Sequence, residues 1–404
     1  MRILLLNRFF WPDTAATGQL LYDLAEHLAA SGDTVHVICG SANYGGSNNA
    51  PRPQAGITRL KKARFLSLVA GRLGSYLSFL AGALWHGVRH RPDLVVTLTD
   101  PPLLSLAGLA IQRWRGARHI IWEMDVYPDI AVDLGVFKAN GLLAQVFGWL
   151  ADLPRRHADN VIVLGKCMQS RLLAHGISES KISIAENWAD CDAADRNRYT
   201  QPPLAEGLSV IYSGNLGRAH DAATIAGAMA ELKQTEGFRF VFAGGGSRQA
   251  WLREFCEKSG VENAQFLPYC ERAELSARLA SGHVGLVTQQ PASAGSVVPS
   301  KTYGILAAGR PVLFIGPRES TTARVIARYG CGWQIDCGDV GGLTALLRCL
   351  NDNKELISAA SARAHQAFIG HYQRSIGVAR VAAILQQVNE SKTSALIQPA
   401  ALAK

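Results

Sequence analysis

One segment of the sequence combines residue types suited to holding an anion. VVPSKTYGILAAGRPVLFIG (297–316) places Ser300 and Lys301 at the start of an apolar helix. Serine is a good N-cap, whereas a lysine in the first turn opposes the helix dipole. A bound anion would offset this cost. An exposed lysine without a partner is equally compatible, because its cost is on the order of a few tenths of a kcal/mol.

Two glycine-rich segments follow strand-like runs in the same half of the chain. YSGNLGRAHD contains Gly214 and Asn215, and AGGGSRQ contains Gly244. Glycine-rich turns that lead into helices expose backbone N–H groups, which bind phosphate. Either turn alone is weak evidence, because such glycines often form only a tight turn. Together with the lysine segment they predict a nucleotide diphosphate site.

The first half of the chain carries carboxylates after an apolar, strand-like run. The segment EMDVYPD contains Glu123, Asp125 and Asp129. A carboxylate at a strand end is a candidate for engaging a hydroxyl nucleophile or the transferred group. Capping of the next helix is the alternative, and it suits Asp129 better than Asp125. The loop WPDTAATGQ, with Thr17 and Gly18, is the other candidate in this half.

Strands that alternate with helices must position these residues. RILLLN (2–7) is a continuous apolar run, typical of a strand buried on both faces, and the pattern restarts at LSVIYSG (208–214) after a polar stretch with Pro-Pro. We predict an α/β fold with two Rossmann-like domains facing each other across a cleft. The predicted parts are an N-terminal domain over 1–190, a linker over 191–207, a C-terminal domain over 208–385 and a tail over 386–404.

The composition limits the partners. The 404 residues carry a formal charge of +9, which favours an anionic partner: nucleic acid, a phosphorylated metabolite or an anionic membrane surface. The eight cysteines are scattered without zinc-ligand spacing, so we expect reduced thiols, a cytosolic location and no metal site.

Residues 63–91 form a long helix-like stretch with basic residues at its ends. Its longest uncharged run is too short and too rich in glycine and serine for a membrane span. The sequence leaves two alternatives open: a core helix, or an amphipathic surface that enters the headgroup layer of a bilayer.

Taken together, these motifs resemble the family 4 glycosyltransferases, which are retaining, nucleotide-sugar-dependent enzymes of GT-B fold. The resemblance covers nearly the whole chain: FFWPDTAATGQLLYDLAEHL, KISIAENWAD, YSGNLG, FVFAGGG, FLPYCERAEL and PSKTYGILAAGRPV. The last segment is the most specific one. It is similar to the subgroup that builds bacterial exopolysaccharides such as colanic acid and O-antigen chains.

The resemblance implies roles for individual residues. Asp125 and the loop with Thr17 and Gly18 would face the transferred sugar and the acceptor. Glu123, selected from its place after the same strand, is the second catalytic candidate. Arg218, Lys301 and the amides near Ser300 would hold the nucleotide diphosphate. The glycine-rich turns and the search for a substitute glutamate add Gly214, Asn215, Gly244 and Glu319 as donor-binding candidates. No cofactor and no metal are implied.

The sequence departs from the family pattern at three positions. Ser296 and Gly304 stand where the family has two glutamates, the second of which binds the ribose. Glu319 is a candidate substitute. Asn215 occupies the usual position of an arginine, so Arg218 is assigned by proximity.

The implied function is transfer of a sugar from a nucleotide-diphosphate sugar, with UDP-sugar favoured, to a lipid-linked or glycan acceptor. The anomeric configuration would be retained. We expect a cytoplasmic protein, with peripheral attachment to the inner face of the membrane as an option. Two alternatives remain: a nucleotide-sugar epimerase of the same architecture, and a nucleic-acid-binding protein, for which the dispersed basic residues offer no recognition module.

Overall fold

Two parallel β-sheets, each flanked by helices, make up the protein. The structure is a computed structural model that describes residues 1–41, 51–60, 64–190, 207–270 and 272–397. Its contacts divide the chain into two units, Met1–Glu186 with Gly377–Lys404, and Asn187–Ile376. The chain from Gly377 onward therefore groups with the first unit, whereas the sequence assigned 208–385 to the second domain. The predicted linker, except for residue 207, lies outside the described residues.

The first unit is built on a seven-stranded parallel sheet in the described residues, with strand order β3-β2-β1-β4-β5-β6-β7. The strands are β1 (Arg2–Leu6), β2 (Thr34–Gly40), β3 (Gly56–Leu60), β4 (Leu94–Thr97), β5 (Arg118–Trp122), β6 (Asn160–Val163) and β7 (Ile182–Ile184). The helices are α1 (Ala16–Ala30), α2 (Arg64–His90), α3 (Ser105–Arg115), α4 (Asp129–Asp133), α5 (Leu142–His157) and α6 (Lys166–Ala174).

The second unit has a six-stranded parallel sheet, within the described residues, in the order β10-β9-β8-β11-β12-β13. The strands are β8 (Leu208–Asn215), β9 (Phe238–Gly245), β10 (Ala264–Leu267), β11 (Val284–Thr288), β12 (Val312–Ile315) and β13 (Gly332–Ile335). The helices are α7 (Ala223–Glu231), α8 (Ser247–Ser259), α9 (Arg272–Ala280), α10 (Lys301–Ala307), α11 (Thr321–Tyr329), α12 (Val340–Asp352), α13 (Lys354–Ala367) and α14 (Arg374–Ile397), the last of which continues into the first unit.

Both sheets have the doubly wound strand order, in which the chain reverses its direction of growth beside the first strand. The reversal lies between β1 and β4 in the first unit and between β8 and β11 in the second. In such sheets, ligands bind beyond the carboxyl ends of the strands at this switch point. The predicted α/β fold with two Rossmann-like halves is confirmed.

Alternating side chains bury both faces of the second sheet. On β8, Val210 and Tyr212 pack into one apolar cluster, while Ile211 packs into another. A strand side chain points to the opposite face from its neighbours, so a strand covered on both sides must be apolar throughout. This explains why the sequence identified the central strands.

For residues 63–91 the sequence left open a core helix or an amphipathic membrane-facing surface. The packing of α2 answers part of this question. One side of it packs against the first sheet through the buried Phe79 and Ala83. A Cβ atom added at Gly87 would collide with Ile111 Cδ1, so α2 and α3 pack closely there. Trp85, on another side, is 61% exposed and stacks under the Arg89 guanidinium. Helix α2 is thus a core helix with an exposed, apolar and basic side. Among the described helices, none has the length and apolar character needed to span a bilayer.

Candidate functional site

The first unit brings three polar segments together at its switch point. Thr17, in the first turn of α1, donates a hydrogen bond from Oγ1 to Asp100 Oδ2 at 3.3 Å. The Arg8 backbone N–H, just beyond β1, donates to the Asp100 carbonyl at 2.7 Å. The loops after β1 and β4 are therefore joined where a doubly wound sheet binds ligands.

Asp125 follows β5, the next strand along the sheet, and belongs to the same group of side chains. Burial, followed by the nearby carboxylates of Asp100 and Glu123, raises the pKa of Asp125 to about 7. The pKa of Asp100 is also raised, mainly by burial, against the opposing effects of Thr17 and Arg8. A raised pKa gives these carboxyl groups more proton affinity than an ordinary aspartate has, which suits groups that exchange protons with a substrate hydroxyl.

Glu123 lies near Asp125 but is held in a buried ion pair, and its predicted catalytic role stays a prediction. Its side chain is 3% exposed, and its Oε1 accepts from Arg155 Nε at 2.7 Å. Arg155 is equally buried and also donates to Asp152 at 2.9 Å and to the Tyr127 carbonyl at 3.0 Å. Removing one partner from such a buried pair is strongly destabilising. The structure therefore indicates that Glu123 holds α5 against the sheet.

Asp129, which the sequence treated as a helix cap, also takes part in ion pairs. Its carboxylate lies 3.1 Å from His175 Nε2 and 3.4 Å from Arg171. His175 contacts Asp152 as well, and hydrogen bonds to Asp129 and Asp152 raise the pKa of His175 to about 9. The acidic residues after β5 thus have different partners. Asp125 lies with Asp100 at the switch point, whereas Glu123 and Asp129 form ion pairs with residues of α5 and of the chain around α6.

Close packing against the backbone of Phe9 and Phe10 explains why position 18 is a glycine. A Cβ atom at this position would lie 3.1 Å from the Phe9 carbonyl carbon and 3.2 Å from the Phe10 nitrogen. A glycine therefore lets the start of α1 approach the loop that follows β1. This contact places Thr17 next to Asp100, and it leaves the acceptor role predicted for the loop as a proposal.

In the second unit, two glycines leave the ends of neighbouring strands without side chains. Gly214 on β8 pairs with Gly244 on β9, at φ values of 128° and 131° that favour glycine. A Cβ atom at Gly244 would collide with the Gly214 oxygen, and one at Gly214 would lie 2.6 Å from Lys301 Cε. Glycine in a strand often marks the close approach of a ligand or another backbone segment. Here it lets the Lys301 side chain cross the end of β8.

Lys301 is the first residue of α10, as predicted. The positive charge of its ammonium group has few polar partners. Nζ lies 3.4 Å from the Asn215 carbonyl and 5.2 Å from the centre of the Tyr212 ring. Within the described residues, no carboxylate pairs with it. Burial lowers the pKa of Lys301 to about 8. An anion bound here would pair with this charge and raise its pKa again.

Ser300 does not cap α10 as the sequence predicted. Its φ and ψ of −68° and −18° are already helical, and its side chain makes no capping hydrogen bond. An N-cap residue normally has extended backbone angles, which allow its hydroxyl to reach back to the N–H groups of the first turn. The exposed hydroxyl of Ser300 is instead available to solvent or a ligand.

The remaining predicted donor residues are exposed. Asn215 ends β8, and its backbone carbonyl accepts from both Tyr212 and Lys301. Arg218 lies in the following turn, and Glu319 lies in the turn before α11, with its backbone carbonyl accepting from Arg324 at 3.1 Å. Among the described residues, none of those around Lys301 contacts the Glu319 carboxylate, so the predicted role of Glu319 stays a prediction.

The two positions without the family's glutamates differ in their surroundings. Ser296 is fully buried, and its hydroxyl donates to the Ser293 carbonyl at 3.1 Å. Gly304 lies in α10, and a Cβ atom there would contact only Leu279 Cδ1 among the described residues, at 3.6 Å. Position 304 therefore has room for a larger side chain, whereas Ser296 is part of the packed loop.

Neither His220 nor Asp100 was among the site residues predicted from the sequence. His220 lies three residues after a glycine of the quoted YSGNLGRAHD segment, and its Nδ1 contacts the Thr288 carbonyl at 2.6 Å. Asp100 follows the apolar run DLVVTLT, so the same strand-end argument that selected Asp125 applies to it. In the part of the chain that the structure describes, no group of three or more His, Cys, Asp or Glu side chains could hold a metal ion.

Comparisons with known proteins agree with this architecture. Residues 16–188 match the family model described as a glycosyl transferase 4-like domain. The probable glycosyltransferase WbjE of Pseudomonas aeruginosa is 25% identical over 343 residues, which cover 83% of this chain and 84% of that protein.

Two further proteins are similar over most of their length. The putative colanic acid biosynthesis glycosyl transferase WcaI of Escherichia coli K12 is 25% identical over 342 residues, which cover 76% of this chain and 82% of that protein. The crystal structure of Anabaena HepE in complex with UDP superposes with a TM-score of 0.71 at 13% identity, covering 96% of this chain and 100% of that one.

Proposed function

We propose that this chain, a glycosyltransferase of GT-B fold that resembles the family 4 enzymes, transfers a sugar from a UDP-sugar to a lipid-linked acceptor in bacterial surface polysaccharide synthesis. The match of residues 16–188 to a glycosyl transferase 4-like domain supports the transferase class. The name of WcaI, which refers to colanic acid, supports the polysaccharide context. The UDP bound to HepE supports the choice of nucleotide.

The observation that carries the proposal is the ammonium group of Lys301, which pairs with no carboxylate among the described residues, beside the glycine strand ends at Gly214 and Gly244. A diphosphate group carries negative charge and many acceptor oxygens, and backbone N–H groups with a cation provide what it needs. As the anomeric bond breaks, negative charge builds up on the leaving diphosphate. A fixed positive charge at that place lowers the barrier because it acts where the charge develops.

Asp125 would act on the other substrate. During transfer, the anomeric carbon loses its bond to the diphosphate oxygen and gains one to the acceptor oxygen, which gives up its proton. A carboxyl group with a pKa of about 7 is ionised in part at neutral pH and binds such a proton well. We assign Asp125 this role or that of a ligand for a sugar hydroxyl, with Thr17 and Asp100 beside it. Retention of configuration is part of the same proposal and rests on the family resemblance.

A lipid-linked acceptor is supported by the surface of three helices in the first unit. Helices α2 and α3 pack together, as do α3 and α5. Each of them exposes a tryptophan: Trp85 at 61%, Trp114 at 66% and Trp149 at 62%. These helices carry several arginines, and their single carboxylate, Asp152, is buried in the ion pair with Arg155. Exposed indole rings with basic neighbours suit the headgroup layer of an anionic membrane.

The test is a transfer assay with the full chain. Radiolabelled UDP-, GDP- and dTDP-sugars are incubated with a bacterial lipid extract, and label in the chloroform-soluble fraction is counted, with and without EDTA. We expect transfer from a UDP-sugar that depends on the extract and is unaffected by EDTA, and loss of transfer in Asp125→Asn. Conversion of the donor into another nucleotide sugar without acceptor would support an epimerase and contradict the proposal.

A further inference from the structure

His220 holds a fixed position at the switch point of the second sheet. Its Nδ1 lies 2.6 Å from the carbonyl of Thr288, the last residue of β11, while His220 itself lies in the loop after β8. A carbonyl oxygen only accepts hydrogen bonds, so Nδ1 carries the proton. The hydrogen bond therefore fixes both the orientation and the tautomer of the ring, and it joins the two loops where a doubly wound sheet binds its ligand.

The other ring nitrogen of His220 is left as an open acceptor. In the described part of the chain, no side chain or backbone group hydrogen-bonds to Nε2. Gln290 contacts the backbone rather than the ring, donating to the His220 carbonyl at 3.3 Å. The carboxylate of Asp221, the next residue, accepts from the Thr224 N–H in the first turn of α7 at 3.0 Å. Among the described side chains, no carboxylate therefore faces the imidazole.

Lys301 and His220 flank the same aromatic ring. Lys301 Nζ lies 5.2 Å from the centre of the Tyr212 ring, and the His220 ring packs edge-on against it with 6.0 Å between centres. The Tyr212 hydroxyl is occupied, since it donates to the Asn215 carbonyl at 2.8 Å. The titratable groups that face His220 are thus Lys301 and the neutral Tyr212.

This environment keeps the free imidazole neutral. Burial, followed by the charge of Lys301, lowers the pKa of His220 to about 4, against the opposing effect of the hydrogen bond to Thr288. One of the two lowering effects is the charge of Lys301. A bound anion that pairs with Lys301 would cancel that effect and add an attraction of its own for a protonated ring.

We propose that His220 takes up a proton when a nucleotide diphosphate binds, and that its protonated Nε2 then donates a hydrogen bond to a phosphate oxygen. The proton comes from solvent and is returned when the diphosphate leaves. The ring needs no change of tautomer, because Nδ1 already donates to the Thr288 carbonyl and Nε2 has no hydrogen-bond partner among the described residues. This inference rests on the proposed donor site and adds a second cationic ligand to it. Diphosphate affinity would thereby become dependent on pH.

Calorimetric titration with UDP tests the proposal. Binding is measured at pH 5.5, 6.5 and 7.5 in two buffers that differ in ionisation enthalpy, for the wild type and for His220→Gln. The difference in heat between the buffers gives the number of protons taken up. UDP's own titration contributes equally to both proteins and cancels in the comparison. The exposed His27 of α1 provides a matched control through His27→Gln.

We expect the wild type to take up a larger fraction of a proton than His220→Gln does. Its affinity for UDP should rise as the pH falls, by up to about tenfold per pH unit relative to that variant. His27→Gln should behave like the wild type. Equal proton uptake and an equal pH dependence in wild type and His220→Gln would overturn the role of His220 and leave the donor site intact. A wild type that binds no UDP, GDP or dTDP would instead refute the proposed function.

A second measurement keeps the test valid where glutamine disturbs the fold. In 15N-histidine-labelled wild type, the Nε2 resonance of His220 distinguishes the bare nitrogen from the protonated one. Addition of UDP at pH 6.5 should move this resonance to the protonated position. A resonance that stays at the position of a bare nitrogen under saturating UDP would contradict the proposal.

Discussion

Replacing Asp125 by asparagine should make the protein more stable and less active. The usual pKa of an aspartate is about 3.9, whereas the folded-state pKa of Asp125 is about 7. The folded state therefore binds the proton more tightly than the unfolded state. Below about pH 4 both states are protonated and no penalty exists. The penalty grows as the pH rises and is complete above about pH 7.

The size of the effect follows from these two pKa values. Linkage gives a loss of folded-state stability on the order of 1 to 2 kcal/mol at pH 5 and about 4 kcal/mol at pH 8. An asparagine side chain does not titrate, so the stability gained by Asp125→Asn should increase by about 2 to 3 kcal/mol between these pH values. For a unit of this size, the difference in Tm should widen by roughly 5 to 10 °C.

The assay is thermal unfolding followed by circular dichroism at pH 5 and pH 8, combined with turnover. Asp93→Asn is a matched control, because its exposed carboxylate pairs with Arg2 and has a lowered pKa, which gives the opposite sign. Turnover of Asp125→Asn should fall by about 100-fold or more if the carboxylate accepts a proton. A Tm difference that does not change with pH would refute the argument from burial. Unchanged turnover would refute the catalytic assignment.

Two further predictions concern the buried ion pair and the donor site. Arg155→Met should lower the free energy of unfolding by about 3 to 5 kcal/mol, because it leaves Glu123 and Asp152 buried without their cation. The affinity for UDP should not change. A fall in UDP affinity without unfolding would contradict the structural role of this ion pair. Lys301→Ala should weaken UDP binding at pH 7, and the affinity of the wild type should fall as the pH rises above about 8, where free Lys301 loses its proton. Calorimetry across pH 7 to 9.5 measures this decline, and a flat profile would exclude a charge-dependent role for Lys301.

The sequence predicted the main features of the fold because central parallel strands are continuous apolar runs. The segments RILLLN (2–7) and LSVIYSG (208–214) correspond to β1 and β8 within one residue. The edge strands β3 and β7 were not identified. They have five and three residues and are only partly buried, so their patterns differ little from those of loops.

The location of the candidate residues at strand ends could be predicted from the sequence. Their partners in the fold could not. Strand-end reasoning selected Asp125, Gly214 and Gly244, because a parallel sheet collects such residues at one edge. The same reasoning could not separate Glu123 from Asp125, which are two positions apart, since only the partners in the fold distinguish them. Glu123 meets Arg155, a residue 32 positions away, while Asp125 meets Asp100. His220 depends in the same way on a carbonyl that lies 68 positions away.

The central claim is that a nucleotide diphosphate binds at the ends of β8 and β9 beside Lys301. A crystal structure of the full chain with UDP tests it most directly. We predict that the diphosphate of UDP lies over Gly214 and Gly244, with Lys301 Nζ and His220 Nε2 within hydrogen-bonding distance of its oxygens. UDP bound elsewhere, or with Lys301 still directed at the Asn215 carbonyl and away from the phosphates, would contradict the account.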